Sequence, residues 1–269
     1  MEIIQAEKMI ENGSFTPRWL IVGESGSGKT TSLTTWPESQ TGLVLDMWGN
    51  KESLEGASNL EIWSWSHMDP ADPSTYVDLN QTKGKILNQL REGVFPHSVI
   101  MLDGMTGLGD VMLGYVLSLK KAGGESMQRG VGGAPQRAHY RGLSHIMGEF
   151  IKSFVAFPIP LVVICHVESY QPMDKSGNPL GPEYWRALLW GKRTRNTIYT
   201  YFSDVYRSFS YPSDKETDKF KEPRQEYAWQ TKPDMEWPML KSVLNQRGEF
   251  WGRYVNPDFY GLLERRGIA

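Results

Sequence analysis

The sequence predicts an α/β fold with a mainly parallel central sheet, flanked by helices, and a β-rich C-terminal extension. Three observations carry this. Residues 23–30 read Gly-Glu-Ser-Gly-Ser-Gly-Lys-Thr, a complete G-x-x-x-x-G-K-[ST] phosphate-binding loop set between an apolar run, Trp19–Val22, and a helix-compatible stretch, Thr31–Trp36. Further apolar runs end in a polar residue at Asp46, Asp103 and His166, and helical patterns separate them. The last third changes character, becoming rich in Trp, Tyr, Pro and Arg with short candidate strands.

Taken in order, the helix after the loop stops at Pro37. Gly42–Asp46 reads as a buried strand, and Glu61–Trp65 alternates as another. A loop with Pro70 and Pro73 leads to a helix over 75–92. Ser98–Asp103 is a strand of four apolar residues running into a carboxylate, followed by a helix from about Thr106 to Lys121. Five glycines between Gly123 and Pro135 make a long loop. From Gln136 to Phe157, Tyr140, Leu143, Met147, Phe150, Ile151 and Phe154 recur at three- and four-residue steps and form one apolar helix face. Pro160–His166 is a fully apolar strand with a polar end. Such alternation argues for parallel strands covered on both faces. Beyond it lie candidate strands at Val205–Ser210, Tyr227–Thr231 and Trp237–Val243, the first two divided by a charged segment, Tyr211–Glu226. Asn256-Pro257-Asp258 predicts a helix start, with Asn256 as cap, for a terminal helix over Asp258–Arg265. Composition divides the chain into a core over 1–210 and an extension over 211–269.

A chain of 269 residues, 39% hydrophobic and 22% charged, suits one α/β domain with a full core. Its net charge near −2 gives no global positive field, so contact with nucleic acid must be local. The single cysteine, Cys165, rules out an intramolecular disulfide and fits a reducing, cytoplasmic setting; inside an apolar strand it is expected to be a buried, inert thiol. The longest apolar stretch, Phe154–Cys165, is twelve residues with two prolines, too short for a bilayer, and Met1–Asn12 lacks a leader's apolar segment, so no membrane association is expected. Ten tryptophans are more than a core of this size needs; Trp237 and Trp251 are candidates for subunit or partner contacts, with core packing the default for each taken singly.

The loop's chemistry is specific. Backbone N–H groups from Gly23, Glu24, Ser25, Gly26, Ser27 and Gly28 turn inward around a phosphate chain, with Lys29 reaching its outer phosphates and Thr31 completing the cradle. The Thr30 hydroxyl holds Mg²⁺, and Asp103, ending its strand, supplies the second metal-side group. His166 ends the next strand and can hydrogen-bond a terminal phosphate. Asp46, Glu52 and Glu168 are the acids that could align water.

The series GESGSGKT (23–30), GLVLD (42–46), SVIMLD (98–103) and PLVVICH (160–166) resembles the RecA-like branch of P-loop ATPases, and is most similar to phage-encoded ATPases that accompany single-strand annealing and recombination. The Leu188–Lys192 segment, the Ser203–Phe209 strand, the Trp237–Val243 region and the Asn256–Phe259 helix start are similar as well, so the likeness runs in order from about 17 to 263. It implies ATP and Mg²⁺ as cofactors, and ATP hydrolysis with Lys29, Asp46 and His166 as catalytic residues. It also implies a strand order that places the His166 strand between the loop strand and the Asp103 strand. Single-stranded DNA, a homo-oligomer and a single-strand-binding or annealing partner follow, in the host cytoplasm if the chain is phage-encoded. One departure stands out: relatives carry a glutamate where this chain has Trp48, so binding of ATP is better supported than rapid turnover.

Two basic sets are candidates for polymer or trans contacts. Lys120, Lys121, Arg129, Arg137 and Arg141 face a single acid, Glu125, for a local net of +4, with Tyr140 placed to stack on bases. Lys192, Arg193 and Arg195, with Arg186, could reach a neighbouring subunit's terminal phosphate. A small-molecule kinase, an assembly switch with little turnover and a DNA-packaging motor subunit use the same loop and remain open.

Overall fold

Residues 16–47, 51–65, 67–119, 134–217, 223–246 and 252–267 are described by the computed structural model. Their strands are β1 (Arg18–Gly23), β2 (Gly42–Asp46), β3 (Leu60–Ser64), β4 (Val99–Asp103), β5 (Leu161–Tyr170), β6 (Tyr184–Ala187), β7 (Asp204–Thr217), β8 (Pro223–Gln230) and β9 (Tyr254–Val255). They form one sheet in the order β3-β2-β4-β5-β1-β7-β8-β9, with β6 paired to the far half of β5. Pairing is parallel from β3 through β7 and antiparallel from β7 to β9. The His166 strand thus lies between the loop strand and the Asp103 strand, as the resemblance implied.

Alternation along the parallel strands feeds two cores, since successive side chains point to opposite faces. Leu20, Val22, Leu43, Leu45, Ile100, Leu102, Leu161 and Val163 pack on one face. That face is covered by α2 (Pro73–Glu92), α3 (Met105–Ser118) and α4 (Arg137–Val155). Trp19, Ile21, Val44, Met101, Val162 and Ile164 pack on the other, against Leu33 and Trp36 after the short α1 (Lys29–Ser32), Leu244 of α6 (Val243–Gln246) and α7 (Phe259–Arg265). The predicted apolar face of α4 is buried at Leu143, Met147, Phe150, Ile151 and Phe154. Cys165 is fully buried, and burial pushes its thiol up to about 12, so it is inert as expected.

The carboxyl-terminal third departs from the prediction. β7 runs on past Ser210 to Thr217 and β8 begins at Pro223, so the charged segment forms the arms of a hairpin. The division at 210/211 falls inside β7. The region 237–243 is no strand beyond one isolated bridge, Val205 to Lys241, because the Asp234 carboxylate accepts from the N–H groups of Glu236 and Trp237 and curls the chain into turns. Trp237 takes the default for a single tryptophan, core packing, rather than a partner contact: it is fully buried, with its ring 5.6 Å from that of Trp185 and parallel to it. The N-cap of α7 is Asp258, not Asn256; the Asp258 carbonyl accepts from Leu262 N–H, and Phe259 N–H donates to Thr35 Oγ1. Trp48, Lys120, Lys121, Arg129 and Trp251 lie outside the described residues.

Candidate nucleotide-binding site

At the carboxyl edge of the sheet, the segment after β1 turns through Ser25–Gly28 into α1. Gly28 has φ 78°, the left-handed region that favours glycine, and a Cβ there would lie 2.5 Å from the Tyr227 ring. Gly23 is constrained by space instead, since its Cβ would sit 2.4 Å from the Ser208 carbonyl oxygen on β7. The Ser208 hydroxyl donates to the Ser27 carbonyl at 2.6 Å, tying the loop to that strand.

Side chains of the loop meet one another and the end of β4. Thr30 Oγ1 donates to Asp103 Oδ2 at 2.9 Å, across 73 residues of sequence. Lys29 Nζ donates to the Glu24 carbonyl at 2.6 Å and to Ser27 Oγ at 3.3 Å. Burial pushes the Lys29 ammonium down to about 8, against the attraction of Asp103. Burial likewise pushes the Asp103 carboxyl up to about 6, helped by the nearby Asp46 and opposed by the Thr30 hydroxyl and by Lys29. His166 pairs with Gly23 across the β1–β5 ladder and lines the same cavity. Its pKa is lowered by burial and by the Lys29 charge, which keeps the imidazole neutral at pH 7. That cavity, about 200 Å³, is walled by 25–31, Ser53, Asp103, Ile164, His166 and Tyr227.

These residues fit Mg²⁺ and a triphosphate. Mg²⁺ is bound by one or two protein oxygens together with phosphates and waters, and the Thr30–Asp103 pair offers such oxygens beside the loop. Among the described residues there is no cluster of three or more His, Cys, Asp or Glu suited to a metal held by protein alone.

None of the three water-aligning candidates walls this cavity. Asp46 ends β2 in register with Asp103, but its Oδ2 accepts from the Ser64 hydroxyl at 2.8 Å, and it is not among the cavity's walls. Glu52 is exposed on a 3₁₀ turn. One oxygen of Glu168 accepts from Arg186 at 2.9 Å and from Arg195 at 2.6 Å.

The basic residues converge. Arg137, Tyr140 and Arg141 on α4 share a groove of about 640 Å³ with Lys192 and Arg193 of α5 (Lys192–Thr197), so two sequence-distant sets become one surface. The Tyr140 ring stacks against Trp190, 6.0 Å between centroids. This groove is larger than the cavity at the loop, yet a triphosphate with its metal needs an ammonium and a pair of metal-side oxygens beside a glycine turn, and Lys29, Thr30 and Asp103 stand at the loop. Sequence reasoning missed Tyr227, Ser208 and Ser53, which reach the loop through strand pairing and turns with no local motif.

No helix among the described residues is long and apolar enough to cross a membrane. The sequence matches no protein-family model. No curated protein matches it either. Among solved structures it is similar to the flagellar accessory protein FlaH from Methanocaldococcus jannaschii, at 10% identity and a TM-score of 0.35, over 94% of this chain and 91% of that chain.

Proposed function

We propose that this chain is a Mg²⁺-dependent ATP-binding protein, and an ATPase, whose nucleotide state governs its hold on single-stranded DNA in phage recombination or replication. One observation carries the nucleotide reading: the Thr30 hydroxyl meets the Asp103 carboxylate at 2.9 Å beside a glycine loop whose lysine is buried in the same site. Lys29 would neutralise the outer phosphates, Thr30 and Asp103 would hold the metal, and neutral His166 would donate to a terminal phosphate oxygen. The DNA reading is supported by the shared groove of Arg137, Arg141, Lys192 and Arg193 with Tyr140 at its side. A homo-oligomer and an annealing or single-strand-binding partner belong to the same proposal and rest on the resemblance alone.

A second reading, a nucleotide switch with little turnover, is favoured by the position of Asp46, whose carboxylate is bonded to Ser64 and does not wall the cavity. Phosphate release measured with Mg²⁺–ATP, with and without single-stranded DNA, separates the two. Stimulated turnover is the outcome expected of the ATPase; tight binding without turnover would establish the switch. Lys29→Ala is expected to lose ATP affinity while keeping its fold, and unchanged binding would reject the site. Arg137→Ala with Lys192→Ala is expected to weaken single-stranded DNA binding and to lower its salt dependence by about one unit of log–log slope per cation.

A further inference from the structure

We infer that Tyr227, on β8, is the platform for the base of the bound nucleoside triphosphate. The inference rests on the nucleotide reading above and concerns the end of the ligand that the phosphate loop does not read.

Topology separates the two ends of the ligand. Asp103 stands on β4, two strands from β1 on one flank, while Tyr227 stands on β8, two strands from β1 on the other. At about 4.8 Å per strand these flanks lie roughly 19 Å apart at the level of the sheet. The metal pair and His166 occupy the β4–β5 flank, so the terminal phosphate belongs there. A triphosphate bound along the loop then carries its nucleoside towards the β7–β8 flank.

That flank is built to meet it. The β1–β7 ladder ends at Val22 with Arg207, yet β7 continues ten residues further, to Thr217, with β8 returning beside it. The hairpin therefore stands beyond the carboxyl edge of the sheet, next to the loop. Tyr227 and Trp229 share one face of β8, and Trp229 is fully buried in the core that also holds Leu33 and Trp36, the residues just after α1. Tyr227 is carried past that core onto Gly28, where its ring is only half-buried and walls the phosphate cavity. Among the described walls of that cavity it is the one Phe, Tyr or Trp, and the other aromatic ring, His166, stands on the terminal-phosphate flank. An aromatic ring offers a base a π-face regardless of its hydrogen-bonding edge, so the platform serves nucleoside triphosphates as a class rather than one base.

Calorimetric titration of the full chain with Mg²⁺–ATP and with Mg²⁺–tripolyphosphate tests this. Tyr227→Ala is expected to weaken ATP by about tenfold or more and to change tripolyphosphate by about twofold at most, while Tyr227→Phe keeps ATP affinity. Equal losses for both ligands would make Tyr227 a prop for Gly28 and overturn the inference, as would unchanged ATP affinity. Should the alanine variant fail to fold, Tyr227→Leu fills the space without a π-face and carries the same comparison. A wild-type chain that binds tripolyphosphate as tightly as ATP would reject the platform and leave the phosphate site standing; one that binds neither would reject both.

Discussion

Asp103 and Asp204 are both buried carboxylates at the ends of parallel strands, on opposite edges of the same sheet. Asp204, at the amino edge, accepts from the Ser203 hydroxyl at 2.8 Å, the Tyr206 hydroxyl at 3.0 Å and Val243 N–H at 2.9 Å, and is ion-paired with the buried Arg266 guanidinium. Arg18, at that same edge, donates to the carbonyls of Val155, Pro17, Ile159 and Phe157. Charges there are completed by the protein and join β1, β7 and the terminal helix. Asp103, at the carboxyl edge, has the Thr30 hydroxyl as donor and is pushed up to about 6 by its burial. One edge spends its buried charges on architecture; the other holds an acid and an ammonium whose pKa values burial has drawn towards neutrality and a metal and a triphosphate would draw apart again.

The sharpest way to break this contrast is at Asp204. Asp204→Ala strands the Arg266 guanidinium and is expected to cost about 3–5 kcal/mol of stability. Urea unfolding measures this, and the folded fraction should still bind nucleotide. A loss below about 1 kcal/mol would show that the amino edge is less tightly completed than its contacts imply.

Asp103 should behave in the opposite sense. Its carboxyl is raised from 3.8 to about 6 on folding, so the folded chain binds more protons than the unfolded one between those values. The contribution is fully present below pH 3.8 and is lost as pH rises through about 6, a slope worth up to about 3 kcal/mol. Asp103→Asn is expected to flatten that slope, leave the chain no less stable at pH 8, and weaken Mg²⁺-dependent ATP binding. A variant destabilised at pH 8 would place Asp103 with Asp204 among the structural acids.

The smallest effect is expected at Lys29. With its ammonium pushed down to about 8, the apo chain loses that charge as pH rises past 8 and must take up a proton to bind phosphates. ATP affinity should therefore decline by up to about tenfold per pH unit above 8, with proton uptake seen as a buffer-dependent binding enthalpy. Flat affinity between pH 8 and 9 would mean that the lysine keeps its proton in the free chain.

What could be read in advance follows from locality. The loop, its strand and the strand ends at Asp103 and His166 are written in short runs whose period and punctuation are visible residue by residue. The α4 face was legible for the same reason, through its helical spacing. The convergence of Arg137 and Arg141 with Lys192 and Arg193 was not, because it depends on how α4 and α5 pack. Nor was Tyr227: its place follows from the β7–β8 register, which pairs it with Ser210, and register is a property of two strands rather than one. The Trp237–Val243 run misled because its aromatic and β-branched residues suit a strand, while Asp234 and Pro238 override them with turns.

The approach of β7 to the loop has one further consequence. With the Ser208 carbonyl pressed on Gly23 and its hydroxyl bonded to Ser27, the eight-residue signature leans on a wall that the chain supplies some 180 residues later. The signature is thus no portable cassette: a fragment stopping short of that wall would spell every letter of it while lacking the buttress against which Gly23 and Ser27 rest.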